Sequence, residues 1–296
     1  MNPASTLTTN MTSQIAQYWD RKMLTRLEAE TQFYAIADKR PLPSNYGKTI
    51  NFNRYVNLGA LTTPLTEGSV PVAQTLQSTG VSAVVAQYGG YVSVSDLLQI
   101  EAVSDVQANA MKVLDYQARL SIDTIIRNTV NTNGTIVYAN GKTSLNNLAA
   151  TDVFNAAEVR KMENDLARAN VLPMSDGSYV CISHPQGFYD LKSDTSTGGW
   201  LTSNQYKNPE KIFSGEFGKL YNVRFISSTN AYTTANATPV NCYYNYFFGM
   251  EGLAVTDLAQ QNLRTFAKKA GSAGSMDPLD QINTVRMESY ICSCST

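Results

Sequence analysis

His184 is the only histidine in 296 residues, and it stands in Ser183-His184-Pro185. A hydrolytic triad would need that imidazole beside a nucleophile and an orienting acid. Ser183 is the wrong neighbour, because successive residues of a strand point to opposite faces. A histidine satisfied locally, at a strand-to-helix turn, is the simpler reading. The four cysteines are Cys181, Cys242, Cys292 and Cys294, and only the last two are close in sequence. Their spacing, Cys292-Ser293-Cys294, is not that of a zinc knuckle. Gly141-Lys142-Thr143 and Gly47-Lys48-Thr49 share the last three residues of a phosphate-binding loop. The glycine required upstream is Ile136 in one and Leu42 in the other, so neither can build the cradle of backbone amides. Gly271-Ser272-Ala273-Gly274 lacks the strand-to-helix setting of a dinucleotide site and reads as a flexible joint. Asp277 and Asp280 could serve as acid and base only across a pocket that the sequence does not reveal. These residues predict no enzyme, with no catalytic, cofactor-binding or metal site.

The elements themselves are more telling. Ile15, Trp19, Met23, Leu27, Tyr34 and Ala37 recur at helical spacing and predict a helix over 12–38, stopped by Arg40-Pro41-Leu42-Pro43. From Thr49 to Ser95 the only charged side chains are Arg54 and Glu67. Alternation in Ile50-Asn51-Phe52-Asn53, in Val81 to Val85 and in Tyr91 to Val94 predicts strands. The stretch Thr62-Thr63-Pro64-Leu65-Thr66-Glu67-Gly68, with Pro71 behind it, breaks regular structure. The whole predicts one long hairpin. Two strands alone are marginal in water and expose open edges, so this hairpin must pack on the chain's own core or on another subunit.

Ser104-Asp105-Val106-Gln107 then fits a capping box, followed by a stripe from Val106 through Leu114, Ile122 and Ile126 to Val130. Asn133-Gly134 ends it. About 27 residues at about 1.5 Å each make a rod roughly 40 Å long. Downstream, Asn140-Gly141 between Ile136-Val137-Tyr138 and Lys142-Thr143 predicts a hairpin. Thr151-Asp152 caps a helix reaching about Asn170, and Tyr179–Ser183 is a buried strand leading through His184-Pro185 into a short helix. Val223–Ile226, Val240–Phe248 and Leu253–Val255 complete the strands. Without a repeating strand-helix-strand unit, the fold class is α+β.

Hydrophobic residues at 43% are enough for a real core, and no apolar run approaches the ~18 residues of a membrane span. No membrane partner is expected. The start of the chain shows no basic stretch followed by an apolar one, which makes the cytoplasm the expected compartment. The sequons at Asn10, Asn133 and Asn236 therefore read as chance. Lys and Arg number 23 against 24 Asp and Glu, with no charge block, which excludes a nucleic-acid-wrapping arm. Charged residues make up only 16%, while Thr, Asn and Ser number 29, 25 and 25. A surface so weakly charged suits a subunit packed against copies of itself, though secreted adhesins and surface-layer proteins share the bias.

Several strings in order resemble one family. They are Thr62–Gly68, Gln87-Tyr88-Gly89, Ser95-Asp96, His184-Pro185, Thr197-Gly198-Gly199-Trp200, Ile212–Gly218, Phe247-Phe248-Gly249 and Asp277-Pro278-Leu279-Asp280-Gln281. They resemble the major capsid proteins of tailed bacteriophages, with the Hong Kong 97-type fold, in a branch common in short-tailed phages. The resemblance spans about Tyr46 to Gln281. It implies an N-terminal arm over 1–48, an extended E-loop hairpin over 49–95 and a P-domain with the long spine helix over 96–134. It further implies an A-domain mainly over 135–260 and a return to the P-domain over 261–296.

By the same resemblance the chain would assemble with itself, as hexamers and pentamers, into an icosahedral virion capsid around double-stranded DNA. Assembly would take place in the host cytoplasm, with a separate scaffold protein and a portal as partners. Forty-eight residues before the hairpin leave no room for a large scaffolding segment within the chain. Arg54 and Glu67, the hairpin's only charges, are the candidates for intersubunit ion pairs; the alternative is that they stay solvated at its base or tip. Between Thr49 and Ser95 there is no lysine, so the isopeptide cross-link of some relatives is not expected. An encapsulin-like nanocompartment shell would share the fold and would need a cargo pocket near the arm. A bacterial surface adhesin would need a signal peptide or anchor.

Overall fold

The computed structural model describes residues 31–43, 45–68, 70–102, 105–195, 216–257, 263–268, 279 and 281–295. Outside them lie the first part of the expected 12–38 helix, Ser104, the Thr197–Trp200 string, Gly271–Gly274, Asp277 and Asp280. Among described residues the helix before the first prolines is only α1 (Phe33–Ile36). Ala37 then turns extended, at ψ 140°, and β1 (Asp38–Lys39) follows.

β2 (Thr49–Tyr55) and β3 (Ser78–Val84) pair antiparallel from Thr49↔Val84 to Tyr55↔Ser78. The hairpin closes there, where the Val85 amide donates to the Lys48 carbonyl at 2.8 Å. β4 (Ala86–Ser95), read from sequence as more of the same hairpin, instead crosses into another sheet. The reason is apolar: Val94 is buried, and Val92 packs with Leu114, Val285 and Met287. Ser95 caps α2 (Asp96–Glu101) by accepting from the Leu98 amide at 3.3 Å. α3 (Val106–Asn133) is the predicted rod, 28 residues long, which is about 42 Å. Its cap is Asp105, which accepts from the Ala108 amide at 3.0 Å, one residue later than the Ser104 cap expected from the box pattern.

The hairpin expected around Asn140 is a single turn without flanking strands. Asn140 and Gly141 do take positive φ, 51° and 65°. The donors of Asn140 go to carboxylates farther along, its amide to Glu158 (2.9 Å) and its side chain to Asp152 (2.7 Å), and no cross-strand ladder forms. Because Asp152 is used there and on the Ala149 amide, α4 (Ala156–Arg168) starts later than expected, capped by Asn155. There follow β5 (Tyr179–Ser183), α5 (Pro185–Ser193), β6 (Glu216–Leu220), β7 (Val223–Ser227), β8 (Thr233–Ala235), β9 (Asn241–Tyr243) and β10 (Asn245–Phe248). The expected strand over Val240–Phe248 is thus two, broken at Tyr244. β11 (Leu253–Asp257), β12 (Arg264–Lys268) and β13 (Ile282–Ser295) complete the chain.

Two larger sheets organise these elements. In one the order is β10-β5-β7-β6, with β5 and β7 parallel and buried along their whole length. Strands covered on both faces feed two cores. On one side Cys181, Phe225, Val223, Phe188 and Leu191 pack with Val159 of α4. On the other, Ile182 joins Tyr246, Phe248, Val255 and Ile291 around Ile122 and Ile126 of α3 and Phe33 of α1. The second sheet is built on β13. β4 and β12 flank the same stretch of it, from 284 to 288, and β11 pairs with its last residues. Arg224 of β7 is buried with its guanidinium on Asp176 and Ser178. Burial alone would raise the Asp176 carboxyl, but hydrogen bonds from Ser178 and Arg224 outweigh it and hold it below the ordinary carboxylate value.

Two measurements check this packing. Ile126→Ala, at a fully buried position, is expected to cost about 2–5 kcal/mol in urea unfolding. Val113→Ala, on the exposed side of the same helix, should stay within about 0.5 kcal/mol. Asp176, with its folded pKa depressed, contributes stability that is present above its unfolded value and is lost as pH falls through the folded one. Wild type should therefore lose more stability on acidification than Asp176→Asn, and parallel curves would contradict the assignment.

Candidate assembly surface

The β2–β3 hairpin is tied to the body only at its root. Ala83 and Val85 are buried with Leu42 and Ala254, Ile50 and Phe52 are half-buried, and the Arg40 guanidinium lies 5.5 Å over the Phe52 ring. Beyond Phe52 the ribbon has no cover from the other described residues. The connection over residues 56–77 carries Leu58, Leu61, Leu65, Val70, Val72 and Leu76, all exposed, with Val70 and Val72 above 90% (91% and 94%). An apolar loop this uncovered, on a two-stranded ribbon that is marginal alone, is the mark of a protein-protein contact. A second apolar surface lies on α2, where Leu97, Leu98 and Ile100 are exposed, and on β4 at Tyr91.

Arg54 and Glu67 both fall on this hairpin. Arg54 stands opposite Thr79 near the outer end of the ladder, on the same strand face as Ile50 and Phe52. Glu67 lies in the turn before Gly68, whose φ is +80°. Both are exposed, and among the described residues neither forms an ion pair within the chain.

Several of the residues considered for chemistry lie among the described ones. His184 caps α5, its Nδ1 accepting from the Gln186 amide at 3.1 Å, and its ring stacks on Tyr243 at 4.8 Å. Burial lowers its pKa, which favours the neutral ring. The Ser183 hydroxyl donates to Asn245 instead. Cys181 is fully buried, which pushes its thiol well up. Gly47-Lys48-Thr49 leads into β2, and Gly141-Lys142-Thr143 leaves the Asn140 turn. Among the described residues no His, Cys, Asp and Glu side chains gather in a metal-holding group, and no helix is long and apolar enough to cross a membrane.

Sequence reasoning passed over two features. Leu97 and Ile100 of α2 carried no signal, because a six-residue helix is too short to show a stripe. Asp123 is fully buried inside α3, yet a lone acid beside the Ile122–Ile126 stripe looks like any surface residue.

Comparison with known proteins gives one family and one fold. Residues 127–275 match the family described as Phage capsid protein. No curated protein matches the chain. Among solved structures, the capsid of Ralstonia phage GP4 superposes with a TM-score of 0.72 at 14% identity, over 99% of this chain and 94% of that one. The capsid of cyanophage Pam1 gives 0.72 at 17% identity, over 100% and 95%. A structure from Mycobacterium phage Che8 gives 0.66 at 15% identity, over 95% and 93%. Because the family match spans half of the chain, the chain belongs to the phage capsid protein family, and the structural likeness, which runs through the hairpin and α3 as well, shows its Hong Kong 97-type α+β fold.

Proposed function

We propose that this chain is the major capsid protein of a tailed phage, assembling with copies of itself, as hexamers and pentamers, into the icosahedral shell that encloses the double-stranded DNA. The observation that carries this reading is the uncovered hairpin: an apolar tip over 56–77 that the other described residues leave in solvent is a surface built for a neighbour. The role is structural and non-catalytic. The shell is assembled in the host cytoplasm with a separate scaffold and a portal, and the near-balance of 23 basic and 24 acidic residues suits an inner wall that lets DNA slide past. In this reading residues 1–48 are the N-terminal arm, 49–95 the E-loop and its root, and 96–134 the first part of the P-domain, with α3 as the spine helix. Residues 135–260 are mainly the A-domain, and 261–296 return to the P-domain. Arg54 and Glu67 form ion pairs with neighbouring subunits.

Sedimentation velocity with negative-stain microscopy tests the proposal. The full chain, expressed with its genomic neighbours, should give shells or capsomer rings, while deletion of residues 57–76 should leave a folded subunit that does not assemble. A monomer under every condition would overturn the reading. Val72→Asp should block assembly while changing the subunit's own unfolding free energy by less than about 0.5 kcal/mol, because its side chain is 94% exposed. Arg54→Glu and Glu67→Arg should each weaken assembly. If the two charges meet each other across the interface, the double exchange should restore it.

A further inference from the structure

His184, the chain's single histidine, stands between β5 and α5. Its Nδ1 accepts from the Gln186 amide at 3.1 Å, which satisfies one of the first N–H groups of α5, those that have no partner inside the helix. An acceptor must carry its lone pair, so this bond requires Nδ1 without a proton and leaves the ring's one proton on Nε2. The turn around the cap is closely packed. The ring stacks on Tyr243 of β9 at 4.8 Å, and the Ser183 hydroxyl donates to Asn245 of β10. Gly187 comes so near them that a Cβ on it would lie 2.5 Å from Ser183 Oγ and 2.9 Å from Asn245 Oδ1. Beyond this turn, Phe188 and Leu191 of α5 are buried in the core with Phe225.

We propose that His184 is a proton-sensitive cap: the neutral ring locks the first turn of α5, and protonation at Nδ1 releases it. Protonation removes the acceptor and sets one N–H against another. It also places a positive charge at the N-terminal end of α5, where the macrodipole is itself positive. Tyr243 acts the other way, because a ring face attracts a cation, but it cannot replace the lost bond. The remaining charges of α5 are engaged elsewhere or lie far along it. Asp190 accepts from the Gln186 side chain at 3.1 Å, Lys192 is in the last turn, and Asp194 accepts from the Ala156 amide at 2.9 Å. On and between the packed strands, Cys181, Cys242, Tyr244 and Tyr246 are all pushed up by burial, so they stay neutral where an imidazole titrates. Burial lowers the His184 pKa in the capped state, the same direction as the geometry. The cap's contribution is therefore present in full above the ordinary imidazole value and is lost as pH falls through the capped-state one. The cap is complete within one subunit and operates whether or not chains assemble.

NMR on the unassembled full-length chain tests the cap without requiring shells, so its failure and that of the capsid reading are separable. With one histidine in the chain, the imidazole signal is assigned without ambiguity. It is followed between about pH 7.5 and about pH 5, together with the hydrogen-exchange protection factor of the Gln186 amide, which cancels the intrinsic pH dependence of exchange. The imidazole should titrate below its ordinary value. Gln186 protection should fall roughly fivefold with it, while that of Val180 and Ile182 in β5 stays level. His184→Asn, which keeps a capping acceptor without a titrating group, should hold Gln186 protection level across the range. His184→Ala should lower it at every pH. Level Gln186 protection in wild type through the imidazole titration would overturn the cap, as would an equal fall in His184→Asn or an imidazole that titrates at or above its ordinary value.

Discussion

One short stretch of α3, from Ile122 to Arg127, is where the separate parts of the molecule meet. Ile122 and Ile126 enter the core shared by α1, β5, β10, β11 and β13. Asp123 holds the backbone at Gln32–Tyr34, and Arg127 with Thr124 holds Asn230. Slightly further along, Thr129 meets Ser293 of β13 at 2.8 Å and Asn131 meets Tyr246 of β10. A helix about 42 Å long has little orientation of its own; this stretch fixes it by apolar contact and by hydrogen bonds to three different parts of the chain. Close-packed contacts of this kind do not deform gradually, so a shift of α3 must carry the N-terminal root, the Asn230 loop and the last strand with it.

The hairpin obeys the opposite rule. Its root is pinned by Ala83, Val85, Leu42 and Ala254, and outward of Phe52 the other described residues leave it to solvent. A ribbon of seven residue pairs with an apolar 22-residue connection (56–77) does not bury its own surface. Its stability therefore belongs to whatever lies against it. The body is complete within one chain and the extension is incomplete, and that division is what a shell subunit needs: a rigid unit to repeat and a surface that only repetition satisfies.

Much of this was written plainly in the residues. The α3 stripe from Val106 to Val130 and the alternation at Ile50–Asn53 fixed rod and ribbon, because each period serves a single buried face. The scarcity of charge between Thr49 and Ser95 pointed to a contact surface, and the ordered strings pointed to the family. What was hidden depended on partners distant in sequence. Val92 and Val94 look like hairpin residues until Val285 and Met287 come beside them. Asn140-Gly141 has the right dihedrals for a hairpin, but Glu158 and Asp152 take its donors. Asp123 is ordinary in sequence and becomes a hub only when Tyr34 and Asn230 close over it.

The central claim is that the hairpin tip is completed by another copy of the chain. A cryo-electron microscopy reconstruction of assembled particles tests it most directly. The account predicts ordered density for residues 56–77 with Leu61, Leu65, Val70 and Val72 covered by a neighbouring subunit. A closed shell in which those side chains still face solvent, with the subunits joined elsewhere, would contradict it.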